Sequence, residues 1–221
     1  MAIGTRSVTE QASTLGETPP VVERTMRADA RRNREAVIAA AKELFADRGL
    51  GAQMPDVARA ARVGVGTVYR HFPTKDHLIA ALVAARFERL ADEAREGLEL
   101  ADPWEGNAGF IRFAAQIQAD DRGQCEVIGS RPELMDAAAR QAGLVELCDA
   151  LVKRAQRSGQ LRGDLSWEDI PMIACGLGPI IHAKVGPATG RWPRLVEIIL
   201  DGLRAPEAGK LPGVVERLGR S

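Results

Sequence analysis

Nowhere in this chain do β-branched residues alternate with polar ones at period two over the length of a strand, while apolar residues return repeatedly at helical spacing. That single pattern confines the fold to an all-α architecture, since a stripe at 3.6-residue period cannot be buried as a strand. Val37, Ile38, Ala41, Leu44 and Phe45 fall at i, i+1, i+4, i+7 and i+8, one face of a first helix that begins near Ala28 and stops at Gly49. Pro55 suits the first turn of a second helix carrying Val57, Ala58 and Ala61. After a break at Arg62 to Gly64, a short third helix holds Thr67, Val68 and Phe72. Pro73 ends it, and Thr74 caps a fourth helix with Leu78, Ile79, Leu82, Val83, Phe87, Leu90 and Ala94 on one face.

The C-terminal part is helical with softer boundaries. Pro103 opens a segment with Phe110, Phe113 and Ile117, which breaks at Asp120 to Gly123. Pro132 opens one long helix through Leu134, Leu144, Leu147, Leu151 and Ala155, ending near Gly159. Ser166 and Asp169 form a capping box for a helix running to about Val185, and a last helix covers roughly Pro193 to Arg204. The expected organisation is a disordered tail over 1–26, a helix-turn-helix domain over 27–75, a helical body over 76–205 and a C-terminal tail over 206–221.

Composition excludes several classes. With 221 residues, 45% hydrophobic and 27% charged, the chain can bury a core without staples. The three cysteines, Cys125, Cys148 and Cys175, are too widely spaced for a disulfide framework or a zinc site and read as small hydrophobes in a reducing cytoplasm. The N-terminus lacks the apolar stretch of a signal peptide. The longest charge-free run, Ile170 to Ala183, falls short of the ~20 residues that span a bilayer, so no membrane is expected. No catalytic constellation and no metal-ligand spacing occurs, and the two G-x-G matches lack a third glycine and a preceding strand; neither cofactor nor metal is expected.

Net charge is +0, yet residues 24–76 hold 11 basic and 6 acidic groups. A basic head on an acidic body is the footprint of a nucleic-acid module, because phosphate neutralisation supplies most non-specific affinity. Two short helices joined by a tight turn describe a helix-turn-helix, whose second helix fits the major groove. Here Gly64 and Gly66 permit close backbone approach, Thr67 offers a hydroxyl and a methyl, and Tyr69 and His71 are placed to bond phosphates.

The stretch Ala61-Arg62-Val63-Gly64-Val65-Gly66-Thr67-Val68-Tyr69-Arg70-His71-Phe72-Pro73-Thr74-Lys75-Asp76 resembles the signature of the TetR family of bacterial transcriptional regulators. Ala36 to Gly49 is similar to that family's first helix, and Leu161-Arg162-Gly163-Asp164 resembles a loop in some members. The resemblance implies a homodimer of all-helical subunits that binds a palindromic double-stranded operator and releases it when a small effector enters the body. It places Val65 and Thr67 at base edges, Gly66 at the close approach, and Tyr69, His71 and Lys75 on phosphates, with Gly64 and Arg70 completing the DNA-facing set. Gln53 stands at a phosphate position where the family often has Thr. Arg62 stands where the family usually has Gly, so the turn gives up a residue suited to positive φ, about 1 kcal/mol, with Gly64 expected to absorb the bend. Gly64 replaces the usual Ser or Thr, which removes an N-cap. Lys75 opposes the dipole of its own helix, a cost that a docked phosphate would reverse.

Other features keep two readings open. Arg24, Arg27, Arg31, Arg32 and Arg34 form either a solvated face or a DNA-reaching arm. Phe87, Trp104, Phe110, Phe113, Met135 and Cys148 are either core or the lining of an effector pocket. His182 reads as a buried or interface histidine. Ile173, Leu177 and Ile181, with the stripe Val196, Ile199, Leu200 and Leu203, favour a four-helix dimer interface over simple core, and Pro179 removes a donor within the first of those helices. The rival functions are a DNA-binding regulator without a pocket, as an activator or architectural factor, and a helical enzyme.

Overall fold

The computed structural model describes residues 21–120, 131–182, 190–205 and 211. Among them the chain forms nine α-helices and no strand: α1 (Val21–Arg48), α2 (Met54–Ala60), α3 (Val65–His71), α4 (Lys75–Glu99), α5 (Pro103–Asp120), α6 (Pro132–Gln141), α7 (Leu144–Arg157), α8 (Asp169–Ile181) and α9 (Trp192–Leu203). Helices α1 to α3 pack around Val37, Ala41, Phe45, Val57, Val68 and Phe72, and α4 continues from this head into the body. Pro55, Pro132 and Pro193 each sit in a first helical turn, where a missing N–H has no partner to lose.

Three boundaries differ from the sequence expectation. Helix α1 starts at Val21, inside the span read as tail, while residues 1–20 and, Leu211 apart, 206–221 lie outside the described residues. The single long helix after Pro132 is two helices, because Gly143 adopts φ +68° and the chain turns there. Arg95 of α4 donates to the carbonyl of Ala142 at 3.2 Å, which fixes that turn against the body. The capping box forms its bonds, Ser166 N–H to Asp169 at 2.8 Å and Glu168 N–H to Ser166 Oγ at 3.2 Å, but as a turn ahead of α8. The end of that helix near Val185 and the Cys125 region fall outside the described residues.

The body is centred on α4 and α5, which approach until their backbones touch. A Cβ on Gly106 would lie 2.2 Å from the carbonyl oxygen of Gly97, so only glycine fits at this crossing. The far end is tied by the loop after α7. Leu161 bridges Arg204, and Arg162 N–H donates to Leu203 O at 3.0 Å. The Arg162 guanidinium donates to both oxygens of Asp164, at 2.6 and 3.1 Å, and to Gly202 O at 3.0 Å. Those donors, together with the Leu211 amide, hold the Asp164 carboxyl well below the usual range. No helix among the described residues is long and apolar enough to cross a membrane.

Candidate nucleic-acid interface and body cavity

The turn between α2 and α3 is closed by the Val63 amide donating to Ala58 O at 3.0 Å. Its bend is taken by Arg62 itself, at φ +55°, and not by Gly64, which is extended at φ −65°. The sequence expectation on Gly64 is therefore corrected: an L residue occupies the left-handed region, with the steric cost that implies. Gly64 serves as the N-cap of α3 without a side-chain bond, as its missing hydroxyl requires, and its carbonyl accepts from Thr67 at 2.9 Å.

Helix α3 is anchored by Val68, fully buried, and by Phe72 just past its end, four residues apart on one face. That anchoring turns the opposite face outward. Val65 and Tyr69 are 43% and 45% exposed, Gly66 and Arg70 are exposed between them, and Thr67 and His71 are half-buried at the margins. Val65 and Tyr69 stand four residues apart, so the two exposed side chains adjoin on the outward face. Gln53, expected beside them, caps α2 without a side-chain bond, and its amide donates to Gly51 O at 3.1 Å. Thr74 caps α4 as expected, accepting from the His77 amide at 3.3 Å. The Lys75 ammonium lies 5.5 Å over the Phe45 ring, so an aromatic face offsets part of the dipole penalty before any phosphate does.

The body holds a cavity of about 670 Å³ that opens to the surface. Arg86, Phe87 and Leu90 of α4, Phe110, Ala114 and Gln118 of α5, Met135, Asp136 and Ala139 of α6, Leu144, Val145 and Cys148 of α7, and Ile170, Ala174, Cys175, Gly178 and His182 of α8 line it, with Trp167 at the turn before α8. Of the residues read as either core or pocket, Phe87, Phe110, Met135 and Cys148 stand in its wall. Trp104 and Phe113 do not. Trp104 is buried at the start of α5 with the Arg204 guanidinium 4.1 Å above its ring, and Phe113 is half-buried under Arg89 at 5.8 Å. Helical spacing could not separate the two sides of α5, because both carry aromatics. Among the polar lining residues, Gln118 donates its amide to Ala174 O across the α5–α8 contact. Burial pushes the Cys148 thiol up to about 12, so it remains protonated and unreactive. Arg86, Asp136, Gln118 and Trp167 were not singled out from sequence; a charged residue on an otherwise apolar helix face at Arg86 was the available signal.

The expected interface stripe divides. Leu177, Val196, Leu200 and Leu203 are buried inside the subunit, and Ile173, Ile181 and Ile199 are half-buried. The strongest apolar stripe of a helix packs on its own core first, which corrects the assignment of those four to a partner. What α8 and α9 leave outward is Met172, 72% exposed, Ile198, 54% exposed, and Gly176, Pro179 and Gly202. Helix α9 is pinned to α5 by Arg112, which donates to both oxygens of Glu197 at 2.7 and 3.0 Å and lowers that carboxyl's affinity for a proton.

Comparison with known proteins agrees with this geometry. Residues 37–82 match the family model for bacterial regulatory proteins of the tetR family, and residues 102–205 match that for the C-terminal domain of SbtR-like transcriptional regulators. The crystal structure of a TetR transcription regulatory protein from Mycobacterium vanbaalenii is 35% identical, covering 81% of this chain and 99% of that one with a TM-score of 0.62. The chain belongs to the TetR family. The transcriptional repressor BepR of Brucella suis is 26% identical over 205 residues, 83% of this chain and 97% of BepR. The repressor KstR of Rhodococcus jostii is 39% identical over 87 residues, 38% of each chain. This TetR-family protein is accordingly a helix-turn-helix regulator of transcription and not an enzyme.

Proposed function

We propose that this TetR-family regulator is a cytoplasmic repressor that binds a palindromic operator as a homodimer and leaves it when a small apolar effector fills the body cavity. The cavity carries this reading. A cavity of about 670 Å³ lies within the range of small-molecule sites, and its wall is mostly hydrocarbon, with Arg86, Asp136, Gln118 and His182 among its polar groups. One side of it is α4, whose first turn adjoins the end of α3. Occupancy that favours a different pose of α4 would shift the population of DNA-competent dimers by the effector's difference in affinity for the two poses, and by no more. A core with this much space argues against the pocketless regulator.

On DNA, Val65 and Thr67 would meet base edges, Gly66 would permit close approach, and Tyr69, Arg70, His71 and Lys75 would hold phosphates, with Gly64 and Gln53 beside them. Two such helices would read half-sites about 34 Å apart. The partner subunit would cover the outward faces of α8 and α9 around Met172 and Ile198. Repression, in place of activation, follows the names of the relatives BepR and KstR. Selection of bound genomic fragments with the purified protein, followed by gel shift across a salt series, tests this. A palindrome-specific, salt-steep shift by a dimer, relieved by an apolar compound, is expected. Absence of any shift, or one indifferent to salt, would overturn it.

A further inference from the structure

We propose that the effector is an amphipathic carboxylate, with its anionic head at the end of the cavity nearest the helix-turn-helix and its hydrocarbon at the far end; this rests on the effector reading above. Contacts between the helices give the cavity a direction. Helices α4 and α5 run antiparallel from their crossing at Gly97 and Gly106, and Arg86 and Gln118 lie at nearly equal distances along them from that crossing. Helix α6 follows α4 in the same direction. Arg131 donates to Asp76 at 3.1 Å near the head, and Arg95 to the Ala142 carbonyl at 3.2 Å at the other end, so Asp136, midway between these ties, lies at the height of Arg86. Gln118 donates to Ala174 O, its side-chain oxygen sits 3.1 Å from where a Cβ on Gly178 would be, and His182 follows one turn later at the end of α8. These four polar lining groups thus gather at the head end. Leu90, Phe110, Leu144, Cys148 and Ile170, with the ring of Trp167, line the other end. From Ile170 to His182 the wall runs about 18 Å at 1.5 Å per residue.

An elongated space that is hydrocarbon at one end and polar at the other selects a molecule built the same way, since polar wall groups covered by hydrocarbon lose their hydrogen bonds to water. The sign of the head follows from the charges. Among the described lining residues these are Arg86 and Asp136. Asp136 is paired with Arg140 on its own helix, and both side chains are 66% exposed, so the guanidinium and water together screen its charge. Arg86 is half-buried, where screening is weaker. It has an interaction within the chain, yet its planar fork of five donors can serve a further acceptor and matches the two oxygens of a carboxylate. An ammonium head would meet the like charge of Arg86. A phosphate monoester would bring a second negative charge to the height of Asp136. The far end offers a head nothing ionised, because the Cys148 thiol there stays protonated.

The test uses the full chain and four probes of one tail length: decanoate, decanol, decylamine and decyl phosphate. Binding is measured by calorimetry below the concentrations at which they aggregate, and each probe is added to the gel shift on a fragment recovered by genomic selection. Decanoate is expected to bind about 10- to 100-fold more tightly than decanol, as a charge-assisted pair requires, and more tightly than the other two. Octanoate binds about fourfold more weakly than decanoate for each methylene removed. Arg86→Gln brings decanoate to the level of decanol while decanol binds as before, and Arg86→Lys keeps part of the preference. Decanol, decylamine or decyl phosphate binding the natural protein as tightly as decanoate overturns the carboxylate head, as does an Arg86→Gln variant that weakens decanoate and decanol alike. Failure of all four to bind overturns it outright. Decanoate that binds as expected but leaves the operator shift intact overturns instead the effector reading beneath it.

Discussion

Gly106→Ala is a one-methyl change that the crossing of α4 and α5 is built to refuse. The new Cβ would sit 2.2 Å from the carbonyl oxygen of Gly97 and 3.0 Å from its carbonyl carbon. Ordinary contact begins at 3.4 Å, so the helices would have to part by about 1 Å. Neither side can yield by a rotamer change, since the obstruction is backbone, and α4 and α5 form the most extensive helix pair of the body. A gap of that size forfeits a quarter to a half of each dispersion contact that spans it, among them those around Trp104, Ala108 and Leu151. Overpacking costs typically 1–3 kcal/mol where side chains can adjust, and the upper end, about 3 kcal/mol, applies here. Replacing glycine within a helix returns about 1 kcal/mol. The net is a loss of roughly 2 kcal/mol, or a melting temperature lower by roughly 4–8 °C for a chain of this size. Gly109→Ala is the matched control. It lies one turn along the same helix with nothing within 4 Å of the added Cβ, so only the propensity gain applies and the melting temperature rises by roughly 2–4 °C. Thermal melts followed by far-ultraviolet circular dichroism decide it. If Gly106→Ala melts at or above the natural protein, the close approach of the two backbones is not what this reasoning takes it to be.

Three further outcomes are expected. Arg62→Gly relieves a left-handed residue at φ +55° and, after the added freedom of the unfolded glycine, stabilises the head by about 0.5–1 kcal/mol, read as a higher urea midpoint; a β-branched residue at the same position lowers it. Asp164→Asn removes a carboxylate whose folded-state pKa is depressed by the Arg162 guanidinium, so its contribution is complete above the ordinary value of 3.8 and lost as pH falls below it. The stability gap between the natural protein and Asp164→Asn in urea titrations therefore holds steady from neutrality and narrows as pH falls below the ordinary value of 3.8, and a gap that widens there would contradict the assignment. Tyr69→Phe leaves the melting temperature unchanged because the ring is 45% exposed, but weakens operator binding by about 0.5–1.5 kcal/mol, equally for all operator sequences, as loss of a phosphate hydrogen bond requires.

The helix-turn-helix was legible in the sequence because its determinants are local. A cap at Thr74, prolines in first turns, and Val68 and Phe72 one helical turn apart dictate which way α3 faces, and therefore that Val65, Gly66, Tyr69 and Arg70 look outward. The family signature falls on these same residues. The body was legible only as helices. Whether an apolar residue on α5 points at the cavity, as Phe110 does, or at the far side, as Phe113 does, depends on which neighbours crowd it. Periodicity carries no record of that, since the wall of a hollow and the filling of a core need the same side chains. The stripe on α9 shows the limit most plainly: Val196, Leu200 and Leu203 have the spacing of an interface and are consumed by the subunit's own core. Even the tight turn required the fold, because only the packing of α2 against α3 forced Arg62, and not the neighbouring glycine, into the left-handed region. Local chemistry thus sets where helices begin, end and expose a face. The docking of one helix on another alone determines what becomes wall, core or surface, because burial belongs to pairs of elements and no single stretch of chain contains it.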